Sequence, residues 1–256
     1  MTTRRALLTG LAGVAGAVLT GAGPAWAGSR QPPAELAAPG RPELAVRLRT
    51  RVEWGADEKL RFGQQGEVWP ATFSPVQCLT VHHSAIGVGA DRAAAVRSIY
   101  HGHTVAKGWG DIGYHLVIDP EGTLYQGRHT GGPAVFRQPP VNGSAETVTA
   151  GHVRGHNPGN IGICLLGDFT GGQPDPRAVG TLTRTLAALS LLCGLDPLAR
   201  LNYHNVEDGQ RYDGPVLARH RDWVATQCPG NAFAGSGFEP VRQEVARLVR
   251  GQGRRA

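Results

Sequence analysis

The sequence predicts an α/β fold: a single domain with a central mixed β-sheet and helices on both faces. Three stretches carry that expectation. NIGICLLGDF (Asn160 to Phe169) is nearly continuously apolar, as a central strand covered on both faces would be. PVQCLTVHHS (Pro75 to Ser84) alternates, with Leu79 and Val81 on one face and Cys78, Thr80 and His82 on the other, and reads as a strand. Between Asp175 and Gly194, Val179, Leu182, Leu186 and Leu189 recur at helical spacing, behind a capping Asp175 with Pro176 in the first turn. Strands alternating with helices on this scale imply a mixed sheet with a helix layer on each side. A chain of 256 residues fills one such domain with appendages.

Taken in order, residues 1–27 carry adjacent Arg4 and Arg5, a Gly/Ala/Leu stretch and the small-residue pattern Ala25-Trp26-Ala27, the marks of an export signal. The apolar run from Ala6 to Leu19 is shorter than the ~20 residues that span a bilayer, so cleavage is expected and no stable membrane anchor. Thr3-Arg4-Arg5 resembles the twin-arginine signal, an address for substrates that fold before export. A secreted or extracytoplasmic, cell-wall-associated protein follows. Residues 28–46 are Pro/Ala/Gly-rich and read as a flexible tether, which places the domain at 47–256.

DRAAAVRSIYHGHT opens on a capping Asp91 and puts Val96, Ile99, Tyr100 and His103 at helical spacing. GYHLVIDPEGTLYQGR is a hairpin about Asp119-Pro120-Glu121-Gly122, where proline presets one dihedral and glycine accepts the unusual one. The Gly/Pro-rich loop from His129 to Ala150 is long enough to suggest a functional one bordering a groove. Leu201 to His220 reads as two strands around Glu207-Asp208-Gly209, and Glu239 to Arg250 as a last helix stopped at Gly251.

The formal charge is +6, of which Arg4 and Arg5 supply two. It favours anionic surroundings only weakly, and no basic run interleaved with aromatics points to nucleic acid. Cys78, Cys164, Cys193 and Cys228 lack the tight spacing of a disulfide framework. Cys164 reads as a buried thiol inside a strand, whereas Cys78 and Cys193 are candidates for a disulfide.

HRDWVATQCPG (His220 to Gly230) holds a histidine and a cysteine eight positions apart. Zinc bonds of about 2.0–2.3 Å keep two ligand atoms within about 4 Å of each other. Along one straight helix, eight residues rise ~12 Å, so a shared ion requires the chain to fold back, and Pro229-Gly230 is suitable punctuation. From the spacing alone, a core histidine and a cysteine that is buried or disulfide-bonded is the commoner arrangement. His82, at the end of an apolar strand, is a natural third ligand. Two imidazoles and a thiolate with one position open is the arrangement of a catalytic zinc site.

RVEWGA (Arg51 to Ala56), TVHHSA (Thr80 to Ala85), GWGDIGYH (Gly108 to His115), GHNPGNIGICLLGDF (Gly155 to Phe169) and HRDWVATQCPG stand in the order found in peptidoglycan recognition proteins and type 2 N-acetylmuramoyl-L-alanine amidases, which the chain resembles from about Arg51 to Gly230. The resemblance implies zinc held by His82, His220 and Cys228, with His83 structural. It places the catalytic tyrosine at Tyr114 and a second catalytic position at Thr226. His101 and His152 match histidines of the substrate groove. Gly108-Trp109 falls where the family distinguishes stem peptides, in the form of members that take meso-diaminopimelic acid, and Arg128 is positioned to meet a carboxylate by bidentate hydrogen bonding. The implied activity is hydrolysis of the amide between the lactyl group of N-acetylmuramic acid and L-alanine, by a monomer whose partner is peptidoglycan or a muropeptide. The alternative is a module that binds muropeptides without cleaving them.

Overall fold

The computed structural model describes residues 34–132, 134–140 and 145–251. The expected export signal lies outside the described residues. The central sheet has seven strands: β1 (Glu35–Ala38), β2 (Arg41–Arg49), β3 (Cys78–His83), β4 (Leu116–Ile118), β5 (Leu124–Gln126), β6 (Asn160–Leu165) and β7 (Leu217–Arg219). Their spatial order is β1-β2-β5-β4-β6-β3-β7. The pairs β1/β2 and β4/β5 are antiparallel and the rest parallel, which makes the sheet mixed as the sequence predicts.

Side chains on successive strand residues face opposite sides, so alternation along the strands separates two cores. Leu79, Val81, Leu116, Ile118, Ile161, Ile163 and Leu165 face one side, where α3 (Pro176–Cys193) and α4 (Phe238–Val249) pack. Val117, Tyr125 and Cys164 face the other, against α1 (Arg51–Trp54) and α2 (Arg92–His101), which contribute Trp54, Val96 and Tyr100. The α3 stripe is buried at Leu182, Leu186 and Leu189; Asp175 caps its first turn by accepting from Arg177 N, and Gly194 closes it at φ 65°.

The stretch read as a tether is corrected here. Residues 35–38 and 41–49 are strands of the main sheet, with Leu36, Ala38, Leu44, Val46 and Leu48 buried. Their period-2 alternation is real but is diluted by the surrounding prolines and alanines, and only pairing with β5 reveals it. The long loop is also reassigned. Val135, Phe136 and Ala145 join the core on the α3 side, and Glu146–Val148 pairs with Phe73–Pro75 in a two-stranded ribbon. All four cysteines are free thiols, so Cys78 and Cys193 form no disulfide.

On the α2 side, the Arg200–His204 and Arg211–Pro215 hairpin leads directly into β7. No described helix is long and apolar enough to cross a membrane.

Candidate metal centre and its groove

β7 pairs in parallel with β3, setting Arg219 opposite Val81, so the next residue, His220, arrives beside His82. A single 3-10 turn, His220–Asp222, then reverses the chain, with Asp222 accepting from Arg219 N at 2.7 Å. Arg221 N donates to Cys228 O at 3.2 Å and closes the fold-back that the spacing required. Trp223 Nε1 donates to Thr80 Oγ1 at 3.0 Å and fastens this loop to β3. Glycine is obligatory at 230: φ is +98°, and a Cβ there would sit 2.3 Å from the Phe169 carbonyl carbon.

One ligand atom from each of His82, His220 and Cys228 lies within 4.8 Å of the others. Cys228 Sγ is 3.7 Å from His82 Nδ1 and also accepts from His83 N. Burial pulls the His220 pKa down to about 4 and holds that of His82 well below its ordinary value, so both imidazoles are neutral and able to donate a lone pair at neutral pH. Burial pushes the Cys228 thiol up to about 11. Two neutral imidazoles and a thiol are the donor set of a tetrahedral ion with an open fourth position, and their 4.8 Å spread is within an ångström of the about 4 Å that zinc bonds set.

His152 decides which nitrogen of His82 faces the centre. His152 Nε2 lies 2.9 Å from Asn160 O, a carbonyl that only accepts, so this nitrogen carries the proton. In a neutral ring its Nδ1 is then bare and accepts from His82 Nε2 at 3.0 Å, which leaves His82 Nδ1 unprotonated and turned toward Cys228. The room for the His152 ring comes from Gly162, where a Cβ would lie 2.5 Å from His152 Cγ. Replacing His152 with alanine is expected to lower metal affinity about 10–100-fold. Competition against a chelating dye measures this, and Gly162→Ala should reproduce the loss by displacing the ring.

The centre opens onto a groove of about 710 Å³, whose lining includes Trp69, Trp109, Tyr114 and His152. Tyr114 is half-buried with its ring 5.3 Å from that of His82, and burial raises its pKa well above the ordinary value, so it stays a donor. Gly108, at φ +66°, forms the turn that presents Trp109. Thr226 Oγ1 accepts from Cys228 N at 3.2 Å and so braces the ligand loop. His83 is buried and accepts from Phe169 N, the structural role expected for it.

Three groove expectations change. His101 is exposed on α2 and does not line the groove; His103 does. The two residues project roughly 200° apart on a helix, and a π-turn over Gly102–Ala106 swings His103 inward. Its Nδ1 accepts from Gly113 N at 2.9 Å, and burial holds its pKa near about 4, so the neutral ring carries its proton on Nε2. His152 stands behind His82 as much as on the groove wall. Arg128 is buried: Nη1 pairs with Asp111 at 2.8 Å, Nη2 donates to Trp69 O and Pro70 O, and Nε donates to Thr149 O. Four of its five N–H groups are bonded inside the protein, so its main role in this structure is to hold Asp111 and the Trp69–Pro70 turn. Trp69, absent from the sequence expectations, covers it at 4.2 Å from ring centroid to Cζ.

Among families, the profile of Amidase_2, N-acetylmuramoyl-L-alanine amidase, matches residues 72–231. The chain belongs to this family. It is 29% identical over 193 residues to mouse N-acetylmuramoyl-L-alanine amidase, matching 73% of the chain and 29% of that protein, and thus spans less than a third of that relative's length. It is 27% identical to peptidoglycan-recognition protein SC2 of Drosophila simulans, matching 73% of the chain and 82% of that protein. Its fold is similar to that of Drosophila peptidoglycan recognition protein SA, at a TM-score of 0.52 and 17% identity over 73% of this chain and 87% of that one. The amidase LysC of Clostridium intestinale has a TM-score of 0.50 at 23% identity over 70% and 91%. These two solved structures share the fold just described.

Proposed function

We propose that the chain is an exported, zinc-dependent N-acetylmuramoyl-L-alanine amidase that cleaves the lactyl amide between N-acetylmuramic acid and L-alanine of peptidoglycan. The carrying observation is the convergence of His82, His220 and Cys228 to within 4.8 Å beside an open groove. A zinc ion held there supplies Lewis acidity toward an amide carbonyl, which water alone attacks poorly.

The chain's own groups do the rest. Tyr114, kept protonated, donates toward the oxygen that gains charge as the carbonyl becomes tetrahedral. His103 presents Nε2–H to the same groove from a ring fixed by Gly113, and Asn157 offers a polar wall. Thr226 keeps the Cys228 loop in register, and Trp109 excludes water from one wall. Cys228, a free thiol facing His82, favours hydrolysis over the alternative of a module that binds muropeptides without cleaving them.

The test is to purify the chain, determine its zinc content, and follow new L-alanine amino termini on digestion of peptidoglycan. Stoichiometric zinc with release supports the proposal, and full activity after the metal is stripped refutes it. The pH dependence of metal uptake adds a sharper check. Above about pH 5 both ligand imidazoles are already neutral, whereas the thiol, at about 11, still holds its proton and must release it to the ion. Apparent affinity should therefore rise tenfold per pH unit from pH 6 to 9, one proton per ion. A slope of two or more, from titrations at fixed free zinc, would contradict this arrangement.

A further inference from the structure

One buried hydroxyl joins the parts of the chain that carry the two histidine ligands. Thr80 precedes His82 by two residues on the same face of β3 and is fully buried. Its oxygen accepts from Trp223 Nε1 at 3.0 Å, and Trp223 in turn donates its backbone N to His220 O at 3.1 Å. The Thr80 hydroxyl donates to Asn160 Oδ1 at 2.8 Å. No direction in this chain of bonds can reverse. Asn160 Nδ2 donates to His156 O, a carbonyl that only accepts, so the other end of the amide is the acceptor that takes the Thr80 proton. An indole N–H only donates, and it goes to the Thr80 oxygen. The backbone carbonyl of the same Asn160 holds Nε2 of His152, the ring behind His82.

The indole is seated from behind by the hairpin of Arg200–His204 and Arg211–Pro215. A Cβ at Gly214 would sit 2.3 Å from Trp223 Cζ3 and 2.4 Å from Cη2, so the hairpin backbone lies flat on the ring. Tyr203, paired with Tyr212 in the hairpin, approaches the indole at 5.6 Å between centroids, and His156 approaches it at 5.0 Å. The ring has no room to tilt away from Thr80. Thr80, Tyr203, Gly214 and Trp223 are outside the described groove lining, and none belongs to the cluster of ligand atoms.

We infer that Thr80 is a positioning residue that sets the spacing of His82 and His220, whose rings lie 4.5 Å apart between centroids, and that the hairpin belongs to the same device because it seats Trp223. Its consequence for metal binding rests on the zinc reading above. Groups that orient metal ligands are worth about 10–100-fold in metal affinity. Thr80→Val keeps the β-branched shape and loses the hydroxyl, whereas Thr80→Ser keeps the hydroxyl. Trp223→Phe keeps a flat ring and loses the N–H. Gly214→Ala adds one methyl group against the indole from the hairpin side, at a residue that offers the ion no ligand.

The test measures zinc affinity by chelator competition, together with the visible spectrum of the Co2+-loaded chain, which reports coordination geometry. It uses variants that circular dichroism shows to be folded without metal. Thr80→Val, Trp223→Phe and Gly214→Ala should each bind zinc about 10–100-fold more weakly with an altered Co2+ spectrum, and Thr80→Ser should stay within about threefold of the parent. Thr80→Val and Trp223→Phe break the same link, so their double variant should lose little more than Thr80→Val alone. Should Thr80→Val not fold, Trp223→Phe and Gly214→Ala decide by the same measurements. Folded variants that melt earlier yet keep the parent's affinity and spectrum would make the link ordinary packing and overturn the inference. If the parent itself takes up no metal, the zinc reading fails by itself. Nuclear Overhauser contacts between the His82 and His220 rings of the metal-free chain then decide the positioning separately: their loss in Trp223→Phe and Gly214→Ala supports it, and unchanged contacts sink it.

Discussion

Replacing Cys228 with serine is expected, on the zinc amidase reading proposed above, to lower activity by at least about a thousandfold, because removing one of the three proposed ligands would withdraw the charge that polarises the carbonyl. Serine is the informative choice. Cys228 Sγ also accepts a hydrogen bond from His83 N, and a hydroxyl oxygen can take over that role while binding zinc far more weakly than a thiolate. The variant should therefore melt close to the metal-free parent and yet purify without stoichiometric zinc. Measuring amino-terminus release, metal content and the metal-free melting curve together separates a lost ligand from a lost fold. Retention of even a tenth of the parent activity in the metal-free variant would show that hydrolysis runs without this centre.

The second large effect is expected far from the ion. Asp111 is fully buried, and both carboxylate oxygens are occupied: Oδ1 accepts from Arg51 Nη1 at 3.0 Å and from Ile112 N at 2.7 Å, while Oδ2 accepts from Arg128 Nη1 at 2.8 Å and from His129 N at 2.9 Å. Asp111→Ala leaves the buried Arg128 without its counter-ion and Arg51 with Glu58 alone, which costs about 3–5 kcal/mol. In a domain of this size each kcal/mol moves the midpoint by roughly 2–4 °C, so Tm should fall by on the order of 10 °C. Thermal and denaturant unfolding of the metal-free chain measure it. A loss under about 1 kcal/mol would mean that solvent reaches Arg51 and Arg128 and that the network is not the closed one described.

These two residues also show how much the sequence made legible. Cys228 and His220 stand in one short motif, and the need for the chain to reverse between them follows from bond lengths alone. The partnership of His82 was suggested by its place at a strand end, and the parallel register that sets Arg219 opposite Val81 supplies the cause. Asp111 lies inside GWGDIGYH, a motif read for its tyrosine and its Gly-Trp pair. Nothing along the chain signals that this aspartate neutralises Arg51 and Arg128, which are 60 and 17 positions away. Arg128 is similar: a guanidinium looks available in a sequence, and only its surroundings show that four of its five N–H groups are bonded inside the protein. His101 and His103 are two residues apart with identical chemistry, and a single π-turn separates the exposed one from the one in the groove.

By itself the sequence determined the periodic features, since strand and helix alternation, caps, turns and the ligand residue types are properties of neighbours along the chain. It set the mixed sheet, the helix at Pro176–Cys193 and the hairpins, and it named the three candidate donors. Tertiary structure alone decided which tautomer His82 presents, that Arg51 and Arg128 are neutralised by one buried aspartate, and that residues 35–49 belong to the sheet. The reason is physical: protonation site, charge balance and strand pairing each depend on what lies within a few ångströms, and those neighbours come from sequence positions tens of residues away.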